Sequence, residues 1–356
     1  MEQKGAGRRL GLSLLGLLLF LLLMPLFLKM GGGKWLLAEV LPGQAAYGAL
    51  SMQKPEEEQI TFKEMDEGAV WGVNDVEFQE KKAISNSEKA FWITAEVLEK
   101  MKDFSYLKSN FYTVDARTAL FESDINVDEA LSKDFSIKPS MKEPKVLIFH
   151  THTHEYFADS DMSQGLHEGI CGIGTELKRI LEEEYGISVL HDTTVYDAVN
   201  GVLQREGAYE RSGPAVEEIL KQNPSIEVCI DLHRDGIRED LHLVAEVDGK
   251  TTAQIMFVNG ICRLNKDGQA EPVSWLENNY IKDNLAFSLQ MKTLMGQEYP
   301  GLARRIYLNP YRFILHYMPR SALVEVGAQT NTKQEAMNAM KPLAKVMADV
   351  LLADTP

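Results

Sequence analysis

Apolar positions change their rhythm along the chain. The run Leu10–Leu28 carries no charge over 19 residues, and Lys4, Arg8 and Arg9 precede it. That length is close to the roughly 20 apolar residues needed to span a bilayer. Basic residues ahead of the run favour a cytoplasmic N-terminus, so a single-pass anchor is expected, with everything after Lys29 extracytoplasmic. A cleaved signal peptide is the competing reading, but its apolar core is usually only about 7–15 residues. Residues 30–140 are weakly patterned: Gly31–Gly33 make a joint, 54–81 are acidic and thinly apolar, and Asn86–Met101 has helical spacing. Residues 103–134 read as extended or mixed, with no catalytic cluster. A stalk or small packing domain is expected here.

From Met141 short apolar runs alternate with stretches of helical period. Lys145–Phe149, after Pro144, reads as a buried strand, as do Ile187–His191, Ile226–His233, Ala303–Leu308 and Ala322–Val326. Leu241–Val247 and Thr251–Val258 read as strands joined at Asp248-Gly249. Helices are expected over Gly174–Tyr185, Tyr209–Gln222 and Asn284–Glu298. A last helix opens at Asn331-Thr332, with Glu335 completing a capping box. This alternation predicts an α/β domain, a mostly parallel twisted sheet flanked by helices. The chain then divides into 1–29, a cytoplasmic tip and transmembrane anchor; 30–140, a juxtamembrane stalk; and 141–354, the catalytic domain.

Chemistry gathers at three expected strand ends. The first carries His150, His152, His154 and Glu155; the second Asp231, His233, Arg234 and Asp235; the last Glu325. Carboxyl ends of parallel strands are where such sheets present side chains to a ligand. Imidazole is the commonest metal ligand, and a catalytic zinc typically takes three N/O donors and keeps one position open. A further glutamate would take the proton of an attacking water. Glu325 lies inside an apolar run, where a carboxylate is costly without a partner or a task. The bland alternative is an ion pair with Arg234 or Arg320.

Composition narrows the classes. A formal net charge of −15 argues against a nucleic-acid binder, which needs a basic face. Three cysteines, none in a CxxC pair, exclude a disulfide scaffold and a thiolate zinc site.

The stretches Phe149-His-Thr-His-Thr-His-Glu155, Asp231-Leu-His-Arg-Asp-Gly236, Ala253–Val258 and Arg320–Thr332 together carry a family resemblance. The chain resembles the stage II sporulation protein P family, membrane-anchored peptidoglycan hydrolases of endospore-forming bacteria. The resemblance implies a fold similar to the zinc-dependent N-acetylmuramoyl-L-alanine amidases and a Zn2+ cofactor. It implies cleavage of the amide between N-acetylmuramic acid and L-alanine of peptidoglycan, with endopeptidase activity as well, in engulfment beside the stage II proteins D and M. Carried onto this chain, the zinc ligands are His233, His150 or His152 with His152 favoured, and Glu155 or Glu176. Glu325 becomes the catalytic carboxylate, and Arg234 helps stabilise the oxyanion. His154 adds an imidazole where the family usually has a small residue. Two other readings compete. One is a wall-binding scaffold without activity. The other is a metal-dependent amidohydrolase or phosphoesterase barrel, which needs about 250 residues and eight βα units, whereas about 215 residues follow Met141.

Overall fold

The computed structural model describes residues 94–266 and 269–352. The apolar run Leu10–Leu28, the glycine joint, the acidic stretch and the first half of Asn86–Met101 lie outside these residues. Among the described residues no helix is long and apolar enough to cross a membrane.

Two short helices come first, α1 (Ala95–Lys102) and α2 (Phe104–Phe111). Thr94 and Asp103 start them, each side-chain oxygen accepting the N–H three residues on, which satisfies a donor the first turn leaves orphaned. Then follow β1 (Tyr112–Val114), α3 (Val127–Ser132), β2 (Val146–Phe149) and α4 (Ile170–Tyr185). After β3 (Val189–His191), a small hairpin of β4 (Ala198–Val199) and β5 (Val202–Leu203) leads to α5 (Ala208–Gln222) and β6 (Val228–Asp235). A second hairpin, β7 (Val244–Val247) and β8 (Lys250–Ala253), turns at Asp248-Gly249, both with positive φ as a two-residue hairpin turn requires. The remaining elements are β9 (Ile255–Gly260), β10 (Arg263–Lys266), β11 (Gln269–Pro272), α6 (Ile281–Glu298), β12 (Ile306–Asn309), β13 (Ser321–Ala328) and α7 (Lys333–Leu351). The last helix opens on the expected capping box of Thr332 and Glu335.

One seven-stranded sheet runs β1-β12-β9-β13-β6-β2-β3. Every pairing in it is parallel except that of β9 with β13. The mostly parallel α/β sheet expected from the alternation is therefore present, as two parallel blocks pointing opposite ways across one antiparallel seam. On one face Ile148, Ile230 and Val324 pack with Leu177 of α4, Leu289 of α6 and Leu343 of α7 in a single large core. On the other, Val216 of α5 packs with Leu147, Phe149 and Cys229.

Two expectations are corrected. Residues 30–140 do not end as a separate stalk, because β1 pairs with β12 inside the main sheet and Met101, Leu107 and Leu131 join the large core. The domain built on this sheet thus begins well before 141. Thr251–Val258 is not one strand: the Gln254 amide donates to Leu243 O, ending the hairpin, and the chain enters the main sheet at Ile255.

Immediately after Glu325 the β13–β6 register shifts. Gly327 sits there at φ 61°, and a Cβ would lie 2.6 Å from Asn331 Oδ1. Only glycine suits both the conformation and the space, so this bulge marks the end of the strand that carries Glu325.

Candidate active site

Strand alternation sorts the residues before any contact is considered. Phe149 is paired with Asp231, and Glu325 with His233, in adjacent parallel strands. Side chains of paired residues share a face, so Asp231, His233, Asp235 and Glu325 line the α5 side of the sheet. His150 follows Phe149 and points the other way, into the large core.

Its contacts confirm that placement. His150 is fully buried, and its Nδ1–H donates to Leu232 O at 2.7 Å. That leaves Nε2 as an acceptor, 2.8 Å from His191 Nε2, which must carry the proton. Both nitrogens of His150 are engaged, and Gly174 of α4 packs against the pair so closely that a Cβ would come within 2.8 Å of His150 Nε2. His150 is therefore a core histidine, which corrects its place among the ligand candidates. Burial pushes its pKa down to about 4, and that of His191 to about 3.

Past His150 the chain leaves the strand. Asp231 holds the departure, accepting from Thr151 N–H at 2.9 Å and Thr151 Oγ1–H at 2.8 Å. Buried Asp197 holds the next step, accepting from Thr153 Oγ1, His154 N–H and His154 Nδ1 at 2.8–2.9 Å. His154 is thereby drawn to Asp197. His152, between the two anchors, turns onto the face of His233, the ring centroids 5.5 Å apart and nearly perpendicular. Its Nδ1 is buried with no hydrogen-bond partner.

Glu155 reaches the same place, 4% exposed, with Oε2 accepting the Arg234 backbone N–H at 2.9 Å and lying 3.4 Å from His233 Nδ1. Its other oxygen faces Arg205 Nη1 at 3.6 Å. His233 Nε2 lies 2.7 Å from Asp231 Oδ1 yet out of line for a hydrogen bond, so that nitrogen has no aligned partner. Glu325, 5% exposed, likewise has an unpartnered Oε2. The bland alternative for Glu325 does not apply. Arg320 donates to the Phe135 and Ser136 carbonyls, and Arg234 to those of Tyr156 and Asp235.

Two further expectations change. Glu176 lies in the second turn of α4, because that helix starts at Ile170, and it pairs with Arg179 at 2.7 Å. Arg234 contributes its backbone amide to Glu155, while its guanidinium braces two backbone carbonyls instead of facing an oxyanion.

The cluster divides charge unevenly. Burial raises the Glu155 pKa, but the positive charge and hydrogen bond of His233, with His152 and Arg234, outweigh it and hold the carboxyl down to about 2. Burial opposes charging His233, yet Asp231 and Glu155 keep its pKa well above the usual imidazole range. Burial pushes His152 down to about 4. Burial, then Asp235 and Glu155, raise the Glu325 carboxyl well above the carboxylate range. An imidazolium and a carboxylate thus neutralise one another beside a protonated acid. The donors suit a divalent metal in kind: two imidazoles with an unpartnered nitrogen, and an ionised carboxylate. Among the described residues, no three His, Cys, Asp or Glu side chains are gathered as a ready metal cage. Asp197, Arg205 and His191 were not legible as site residues, since each stands alone in the sequence between ordinary neighbours.

The fold and site define an α/β protein with a buried histidine–carboxylate cluster where β2, β6 and β13 meet. The chain belongs to the stage II sporulation protein P family, whose model matches residues 45–348. It is similar to stage II sporulation protein P of Bacillus subtilis (strain 168), 22% identical over 249 residues, 66% of this chain. The chain spans 58% of that relative's length. An N-acetylmuramoyl-L-alanine amidase from Clostridium difficile 630 aligns with 58% of this chain and 95% of its own, at 15% identity and a TM-score of 0.34. The N-acetylmuramyl-L-alanine amidase Ami1 of Mycobacterium smegmatis aligns with 62% of this chain and 100% of its own, at 11% identity and the same TM-score. Likeness at that level transfers neither residues nor a reaction.

Proposed function

We propose that the chain is a zinc-dependent peptidoglycan hydrolase of sporulation, an N-acetylmuramoyl-L-alanine amidase with cross-link endopeptidase as a second activity. The observation that carries this is the meeting of His152, Glu155, His233 and Glu325 in one buried cluster with unpartnered atoms. Family membership supports the setting: engulfment, with the stage II proteins D and M as partners. The run Leu10–Leu28 supports anchorage in the cell membrane with the domain outside the cytoplasm.

In this reading His152, His233 and Glu155 hold the zinc, and His150, His154 and Glu176 do not. Bound there, zinc would polarise the scissile carbonyl and make water acidic near pH 7. Glu325 acts on protons. A dication nearby favours its ionised form, opposing the burial that now keeps it neutral. As carboxylate it accepts the proton of the attacking water, and as acid it returns that proton to the leaving amine of L-alanine. The Arg234 amide fixes Glu155 by donating to its Oε2, the kind of supporting contact that sets ligand geometry in such sites.

Zinc analysis of the purified protein, with digestion of sacculi before and after chelation, tests the proposal. Wild type should bind zinc and release stem peptides, and His233→Ala should lose both while staying folded. A zinc-free protein that binds sacculi without cutting would favour the scaffold reading.

A further inference from the structure

Arg205 is the feature of the cluster that ligand assignment leaves unused. Its backbone is held on both sides by one guanidinium. Arg211 Nη2 donates to Gln204 O at 2.5 Å and Glu206 O at 3.1 Å, while Arg211 Nε donates to Tyr196 O. The Gln204 amide also donates to Asp197 O at 2.7 Å, which ties this stretch to the residue that pins His154. From that fixed backbone the Arg205 side chain, 43% exposed, reaches Glu155 Oε1 at 3.6 Å. This is within ion-pair range but too long for a hydrogen bond. Among the described residues the Arg205 guanidinium makes this ion pair and no hydrogen bond, although it offers five donors in a planar fork.

Such an arrangement is poor as a structural ion pair. A half-exposed pair is worth little, and this one lacks the bidentate geometry that would strengthen it. It suits an anion arriving from solvent, because the guanidinium fork matches a carboxylate with two parallel hydrogen bonds. The carboxylates of the cluster have cations of their own, Asp235 pairing with Arg304 at 2.6 Å and Glu155 lying 3.4 Å from His233 Nδ1, so the Arg205 guanidinium is left with donors facing solvent. Once Glu155 is committed to a metal, Arg205 has no internal partner left to neutralise it.

We infer that Arg205 is a specificity-determining residue that binds a free carboxylate of an acidic stem peptide next to the scissile amide. The inference rests on the amidase reading for its ligand class, and its test does not rest on turnover. Binding is measured by titration calorimetry in the Glu325→Gln background, with and without Arg205→Gln. The probes are N-acetylmuramoyl-L-alanyl-D-glutamate and its counterpart with both glutamate carboxyls as carboxamides. A lost charge-assisted carboxylate contact corresponds to ~10–100-fold weaker binding of the acid, with the carboxamide form unchanged within about twofold. Arg205→Lys should restore part of the preference. Equal weakening of both probes, no weakening of either, or no binding of either by the Arg205-containing protein would each overturn the inference. Wild-type protein that leaves sacculi intact would instead remove the amidase reading, and the acid–carboxamide comparison would still decide Arg205.

Discussion

The loop after β2 and the strand pair β6–β13 reach the same cluster by different physical routes. On the strands, position follows from register: His233 and Glu325 face each other because their backbones are paired, whatever their side chains do. In the loop nothing repeats. Three histidines at alternate positions end in three environments: the core beside His191, the face of His233, and the carboxylate of Asp197. What separates them is borrowed from elsewhere, since Asp231 and Asp197 hold the backbone at Thr151 and at Thr153–His154. Site residues on strands thus inherit precision from the sheet, and those on the loop depend on two buried aspartates.

The sharpest test of the strand half is Glu325→Gln. The shape is kept and the proton shuttle removed, so stem-peptide release should fall by about 10²–10⁴-fold, with the thermal midpoint unchanged or raised. A loss of folding instead would mean that Glu325 is structural. Asp197→Ala tests the loop half. It strips a buried acceptor from three donors, each costing about 1–3 kcal/mol if left unsatisfied. Denaturant midpoints should fall, and zinc affinity should fall with them while Glu325 and His233 stay in place. Unchanged zinc affinity would show that the loop holds its shape without Asp197. Gly174→Ala probes the discarded histidine. The added Cβ meets His191 Nε2 at 2.7 Å, and such overpacking costs about 1–3 kcal/mol. Stability should drop with zinc content intact, and a proportional loss of zinc would return His150 to the ligand set.

The last test is in acid. His150 and His191 are held neutral, with pKa values pushed to about 4 and about 3 from an ordinary 6.5. Their unfolded forms take up protons first, so stability is complete above pH 6.5 and lost as the pH falls below it. Each group contributes a slope of up to about 1.4 kcal/mol per pH unit until its folded pKa is reached. His191→Asn should flatten urea-unfolding free energies between pH 6 and 4, whereas an unchanged slope would show that the pair does not titrate on unfolding.

What could be read in the residues follows the same division. β2, β6 and β13 announce themselves as short apolar runs, and His233 and Glu325 are conspicuous there because a polar group interrupts burial. The α4, α5 and α7 periodicities were equally plain. The choice among His150, His152 and His154 was not, because strand parity holds only up to Phe149, and the turn after it is set by Asp231 and Asp197, 80 and 43 residues further on. Glu176 misled because helix α4 begins at Ile170, four residues before the expected start at Gly174. The β1 edge strand escaped because three residues are too few for a pattern. Glu155 was found by its motif, and only the fold shows that Arg234 meets it through the backbone.

One consequence concerns synthesis. In the sheet order β13 lies between β9 and β6, yet it is the last strand of the sheet to leave the ribosome. Until residues 321–328 emerge, β9 and β6 each present an unpaired edge, the kind of surface that invites misassociation. The same eight residues carry Glu325. A nascent or truncated chain therefore lacks Glu325 for as long as its sheet is open, and closing the fold and completing the cluster are a single event.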